Sequence, residues 1–286
     1  MKKKCLALIG LLLPLTGCSS ADVVPNALYA SVYPAYALAK EVVQDLLPLK
    51  MLTPFGTEPH DYEPSVRHII GLTECKGLLL QGNSLEPWAD SLPKEVKEKT
   101  YDVSKDIETM KVDGVIDPHV WMSPKNAKIE LANILDSLIQ IDPTHQEDYE
   151  ENTRIALKKM DELDKRYTLE LQGVSRPYLV VSHASFGYLC RAYGLEQIYV
   201  SGLSPDQEPT AKGLERIIEE VRLHQITTIF YEEYVSPSIA KKIAEETGCK
   251  TEVLSSLETI EESEDEKQTY FSLMEKNLIR IKEALQ

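Results

Sequence analysis

Residues 142–173 read DPTHQEDYEENTRIALKKMDELDKRYTLELQG. Asp142-Pro143 opens a helix, because proline is tolerated in a first turn, and Gly173 stops it. Between them the chain has few breakers and an unusually high charge. About 30 residues rising 1.5 Å each span roughly 45 Å, longer than one small domain needs. Such a helix suits a rigid strut along or between two domains. On both sides of it, short apolar runs alternate with amphipathic helical patterns. Before it, strands are expected at 27–32, 50–54 and 77–81, with helices at 35–47, from Glu63-Pro64, and from Ser123-Pro124. In that last helix Leu131, Leu135, Leu138 and Ile139 share one face. After it, strands are expected at 178–182, 198–200, 226–231 and 251–254, with helices at 185–193, 210–224, from Ser236-Pro237 to Gly248, and 264–285. This rhythm implies an α/β protein with two parallel sheets.

The chain has 286 residues, which suggests about two domains. With 46 acidic residues against 31 Lys and Arg, its formal charge is −15. A basic face for phosphate contacts is therefore missing, which argues against nucleic acid as a partner. Five cysteines are too few for a disulfide scaffold.

The N-terminus reads MKKKCLALIGLLLPLTGCSS. Lys2, Lys3 and Lys4 precede a short apolar run at 6–15. That run is too short to span a bilayer and reads as an export signal over residues 1–17. Leu15-Thr16-Gly17-Cys18 resembles a bacterial lipobox, which makes Cys18 the candidate lipidation site and a membrane the anchor. Removing the three Lys of the signal from 31 leaves 28 against 46 acids, a charge of −18. Cys75, Cys190 and Cys249 then remain. No CxxC pair exists, so a thiolate zinc site is not supported, and the spacing selects no disulfide among the three. Cys75 and Cys190 sit in apolar-periodic segments and read as buried thiols.

Ligands of open α/β sheets bind beyond the carboxyl ends of strands. His60 lies in the loop after 50–54, His119 precedes a helix, His183 follows 178–182, and Glu258 follows 251–254. Three imidazoles and a carboxylate suit a borderline divalent ion such as Zn²⁺. His68, His145 and His224 lie on polar or helical stretches without such a position. No HExxH occurs, so a zincin protease is not supported. Trp88 and Trp121 read as packing residues flanking the site.

The words around the histidines add to this. They are Gly56-Thr57-Glu58-Pro59-His60-Asp61-Tyr62-Glu63-Pro64, Gly82-Asn83-Ser84-Leu85-Glu86-Pro87-Trp88, Asp117-Pro118-His119-Val120-Trp121, and Ser182-His183-Ala184-Ser185-Phe186-Gly187-Tyr188. In this order they resemble the metal-binding solute-binding lipoproteins of bacterial ABC importers, the zinc and manganese receptors grouped as cluster A-I or cluster 9. The resemblance implies two (β/α) lobes, 18–141 and 173–286, joined by a long helix over 142–172, with the metal site in the cleft between them. It implies His60, His119 and His183 as metal ligands. A histidine at position 183, where manganese receptors usually carry glutamate, is the zinc-type pattern. Many members place an aspartate where this chain has Ser255. Glu258 matches the position that some zinc members use instead, and Glu58 and water stay open as alternatives. Glu232 and Glu233 are candidate acceptors for imidazole N–H groups. The His-rich loop of many zinc receptors is absent, since 111–116 is short and has no His.

The expected function is an extracytoplasmic zinc receptor, not an enzyme, delivering Zn²⁺ to a permease with its ATPase. It would be monomeric and lipid-anchored in the cell envelope. The rival readings are the same receptor for Mn²⁺ or Fe²⁺, and a secreted zinc hydrolase. A third rival is an adhesin on the same scaffold, which nothing in the sequence tests and which could coexist with transport.

Overall fold

The computed structural model describes residues 23–206, 209–265 and 267–286. The export signal and Cys18 lie outside the described residues. The first apolar run forms β1 (Leu28–Ala30), followed by α1 (Tyr33–Val43), which starts with Pro34 in its first turn. Then come β2 (Leu49–Met51), α2 (Val66–Gly71), β3 (Gly77–Leu80), α3 (Lys94–Lys97) and β4 (Thr100–Asp102). A hairpin follows, β5 (Lys111–Val112) and β6 (Val115–Ile116), and then α4 (Pro124–Ile141). The strut is α5 (Gln146–Leu171), 26 residues, entered through a 3₁₀ turn at Pro143–His145. Beyond it lie β7 (Tyr178–His183), α6 (Gly187–Tyr193), β8 (Glu196–Ser201), α7 (Ala211–Leu223), β9 (Thr228–Tyr231), α8 (Ser238–Thr247), β10 (Lys250–Val253) and α9 (Tyr270–Leu285).

Among the described residues there are two four-stranded sheets, both parallel throughout. Their orders are β2-β1-β3-β4 and β10-β9-β7-β8. Counted from its own first strand, each sheet runs 2-1-3-4. The halves thus share a topology, although the sequence carries no visible repeat. Parallel strands covered by helices on both faces must be apolar throughout, which is why Leu28–Ala30 and Leu78-Leu79 are buried without alternation. The chain reverses direction between β1 and β3, and again between β7 and β9, making one crevice at the carboxyl end of each sheet.

The long helix packs against α4 and α1 from the first half and against α9 and α6 from the second. One continuous apolar core therefore joins both halves, from Leu28 in β1 through Leu131 in α4, Met160 and Tyr167 in α5, to Leu278 and Ile281 in α9. Trp88 sits in a smaller core on the far face of the first sheet, and Trp121 in the main core, as packing residues.

Several boundaries differ from expectation. Pro64 does not open α2; the helix starts at Val66, because the Ser65 hydroxyl accepts from the His68 N–H. The last helix starts at Tyr270 rather than near 264, fixed by a reciprocal Thr269–Ser272 cap. Cys75, Cys190 and Cys249 are free thiols, the first two buried. Among the described residues no helix is long and apolar enough to cross a membrane.

Candidate metal centre

Four side chains from four separate segments converge. His60 comes from the loop after β2, His119 from the turn before α4, His183 from the end of β7, and Glu258 from the loop after β10. One donor atom of each lies within 4.8 Å of all the others. The His60 and His119 Nε2 atoms are 3.2 Å apart. Glu258 Oε1 lies 2.7 Å from His60 Nε2 and 3.0 Å from His119 Nε2. Glu258 Oε2 lies 3.3 Å from His183 Nε2. Ligands at 2.0–2.1 Å around a tetrahedral ion stand about 3.3 Å from one another, so the cage already has nearly that size.

Local structure aims each group. In the Asp117-Pro118-His119 turn, Asp117 Oδ1 accepts from both the His119 N–H (3.0 Å) and His119 Nδ1 (2.7 Å). At the end of β7, Glu232 Oε1 accepts from His183 Nδ1 and from the Ser182 hydroxyl. A carboxylate can only accept, so both rings carry a proton on Nδ1. Their Nε2 atoms are thereby turned to the common centre, where a bound cation would take the Nε2 lone pairs. His183 Nε2 is fully buried and, although 3.3 Å from Glu258 Oε2, is misaligned for a hydrogen bond and has no partner. An orphaned buried imidazole nitrogen facing a carboxylate fits a cation between them. Glu258 follows Leu257, a buried non-glycine residue at φ +61°, in the left-handed region. Its loop is tied down by Asn277, which accepts from the Ser255 N–H and donates to the Ser255 carbonyl. The Gly56 N–H reaches the Ile260 carbonyl at 3.0 Å, stitching the His60 loop to the Glu258 loop.

The electrostatics follow from burial against opposite charge. Burial disfavours charge on His119, but Glu258 and Asp117 outweigh it and raise its pKa to about 9. His183 is raised against the same penalty by Glu232 and Glu258. Burial would likewise raise the Glu258 carboxyl, yet His183 and His119 hold it well below its ordinary value. Glu58 behaves differently. It accepts from the His60 N–H at 3.1 Å, outside the group of four, and burial followed by the Glu258 charge pushes it to about 8. Glu58, Glu232, Glu233 and Glu258 line a neighbouring cavity of about 20 Å³, the scale of one water, which none of the three histidines lines.

All four residues expected at the site are thus brought together, and His68, His145 and His224 stay outside it. Ser255 serves the loop: its hydroxyl accepts from the Leu257 N–H. Glu232 is an imidazole acceptor as expected, and no such bond is seen for Glu233 among the described residues. Asp117 went unnoticed in the sequence. A carboxylate two residues before a histidine is the available signal, because an Asx-type turn lets it meet both the backbone and the ring.

The family described as ZnuA, zinc-uptake complex component A periplasmic, matches residues 28–284. The chain belongs to the ZnuA family. This ZnuA-family chain is 32% identical over 272 residues to the "High-affinity zinc uptake system protein ZnuA" of Bacillus subtilis, covering 88% of itself and 85% of that protein. It is 35% identical over 308 residues to the "Zinc-binding lipoprotein AdcA" of Streptococcus pneumoniae, covering 99% of itself but only 61% of that longer protein. Among solved structures, the Zn(II)-bound ZnuA-like domain of S. pneumoniae AdcA aligns with a TM-score of 0.80 at 35% identity, covering 92% of this chain and 99% of that one. The sequence resemblance and the α/β fold read from it are both borne out.

Proposed function

We propose that this chain is a zinc receptor that captures Zn²⁺ outside the cytoplasm and hands it to an ABC permease driven by its ATPase. The observation that supports this most is the orphaned, buried His183 Nε2, facing Glu258 beside two further imidazoles. His60, His119 and His183 act as neutral nitrogen donors and Glu258 as the oxygen donor. Four protein ligands fill a tetrahedral site and leave no position for an activated water, which suits binding and release rather than hydrolysis. Three imidazoles favour zinc over manganese or Fe²⁺, which stand lower in the affinity order. The zinc-binding names of the relatives agree.

Two ligands precede the long helix and two follow it. In this reading the lobes are 18–141 and 173–286, with 142–172 between them, and a small relative shift weakens the site for release. The anchor is lipid on Cys18 in the cell envelope, and the receptor works as a monomer. Competition titration with Zn²⁺ and Mn²⁺ on protein purified without chelator tests the reading. One tightly held equivalent of zinc, with manganese far weaker, is expected; preference for manganese would overturn it.

A further inference from the structure

The Asp117-Pro118-His119 segment is gripped from the other half of the molecule by one hydroxyl. Tyr188, in the first turn of α6, donates through Oη to the Asp117 carbonyl at 2.8 Å. The same oxygen accepts from the Met110 N–H at 2.8 Å. The Asp117 N–H in turn donates to the Met110 carbonyl at 2.9 Å, closing a ring around the base of the β5–β6 hairpin. Asp117 then holds His119 at both backbone and ring. Tyr188 and Asp117 are both almost wholly buried, so water does not compete for these bonds. Two further contacts keep α6 on this segment. Arg191 donates to the Glu108 carbonyl at 3.4 Å, two residues before Met110, and a Cβ at Gly187 would stand 3.0 Å from Asp117 Oδ2, so α6 approaches as closely as glycine permits. On its other side α6 follows His183 after only Ala184, Ser185 and Phe186. The Ala184 N–H and Phe186 N–H are tied to the Gly202 carbonyl and Gln197 Oε1 at 2.9 and 2.6 Å.

We infer that Tyr188 is a positioning residue for the metal centre: through Asp117 it sets the orientation of His119 relative to His183, coupling one ligand from each half. The inference rests on the proposed zinc site. It assigns the β5–β6 hairpin a role as the clamped base of that coupling. Asp113 and Gly114 both adopt positive φ, giving the tight two-residue turn that keeps this hairpin short.

The test compares Tyr188→Phe with Tyr193→Phe, which removes a hydroxyl from the same helix where it donates to Asp164, away from the four ligands. Zinc affinity is measured by competition, and the visible spectrum of the Co²⁺-loaded protein reports ligand geometry. Tyr188→Phe is expected to weaken zinc binding about tenfold and to shift the Co²⁺ bands. Tyr193→Phe should leave both unchanged even where it lowers the melting temperature as much. If Tyr188→Phe does not fold, Gly187→Ala serves instead, since its methyl displaces Asp117 by a few tenths of an ångström and should shift the same bands. Wild-type affinity and spectrum in the folded Tyr188 variant would overturn the inference and leave the zinc site standing. A wild-type protein that binds neither ion would overturn the zinc site and this inference with it.

Discussion

His183 donates its Nδ1 proton to Glu232 and directs Nε2 at the common centre, so in the proposed receptor truncation removes one ligand and leaves a small space in a buried wall. His183→Ala is expected to abolish tight zinc binding while circular dichroism and the chromatographic radius stay native. Glu258→Ala should weaken zinc by at least about 100-fold, whereas Glu58→Ala should change it only a few-fold, because Glu58 engages the His60 backbone instead of the centre. A second residue-level expectation lies at Glu130. It accepts from Gln81 Nε2 in the interior, while Glu130 Oε2 and Gln81 Oε1 both lack partners. Burial pushes the Glu130 carboxyl to about 8, with a further push from Asp102 against the Gln81 bond. A proton on Oε2 removes the buried charge and makes that oxygen a donor. Because the folded pKa lies above the unfolded one, stability from this group is full at low pH and is lost as pH rises from about 4.5 through about 8. Glu130→Gln supplies a permanent donor in that place. It should raise stability at pH 8 by on the order of 1–3 kcal/mol and flatten that pH dependence, as read by urea unfolding across pH. The three histidines were readable in the sequence because each sits in a loop word after or between elements. Asp117 and Tyr188 were not, since 71 residues separate them and only tertiary packing makes the hydroxyl a clamp.

Among the elements, the strands and the long helix were readable because apolar runs and breaker-free charge patterns persist over many residues. Helix starts were less so. Pro64 resembles a first-turn proline, but the Ser65 cap outweighs it; Thr269 and Ser272 likewise move α9 to Tyr270. β4 and the hairpin were missed because Thr100–Asp102 and Lys111–Val112 mix polar or charged residues into the run, and Val115–Ile116 is only two residues long. The loop after β3 gives the element-scale prediction. Gly82, Asn83 and Ser84 all have positive φ, held by Glu86 accepting from the Gln81 and Gly82 N–H groups. A Cβ on Gly82 would lie 2.3 Å from Asp102 Oδ1 and 2.6 Å from Ser104 Oγ, at φ +85°. Gly82→Ala should therefore cost about 1–3 kcal/mol of stability by denaturant unfolding, with zinc affinity retained in the folded fraction.

For the molecule as a whole, the α/β class and the two parallel sheets followed from alternation around the strut. What alternation could not convey is that the strut is shared. α5 lies in one apolar core with α1, α4, α6 and α9, so the halves are not independent beads on a rod. Calorimetry should accordingly show one cooperative transition, raised by Zn²⁺ in proportion to the logarithm of its free concentration; two separate transitions would contradict the shared core. In the proposed receptor that core limits metal release to small shifts around the four candidate ligands. A zinc competition titration on wild-type protein alongside His183→Ala and Glu258→Ala decides whether these side chains hold the ion. One tight site is expected in the wild type, with tight binding abolished in His183→Ala and at least about 100-fold weaker in Glu258→Ala. Equal zinc affinity in all three would show that zinc is held elsewhere.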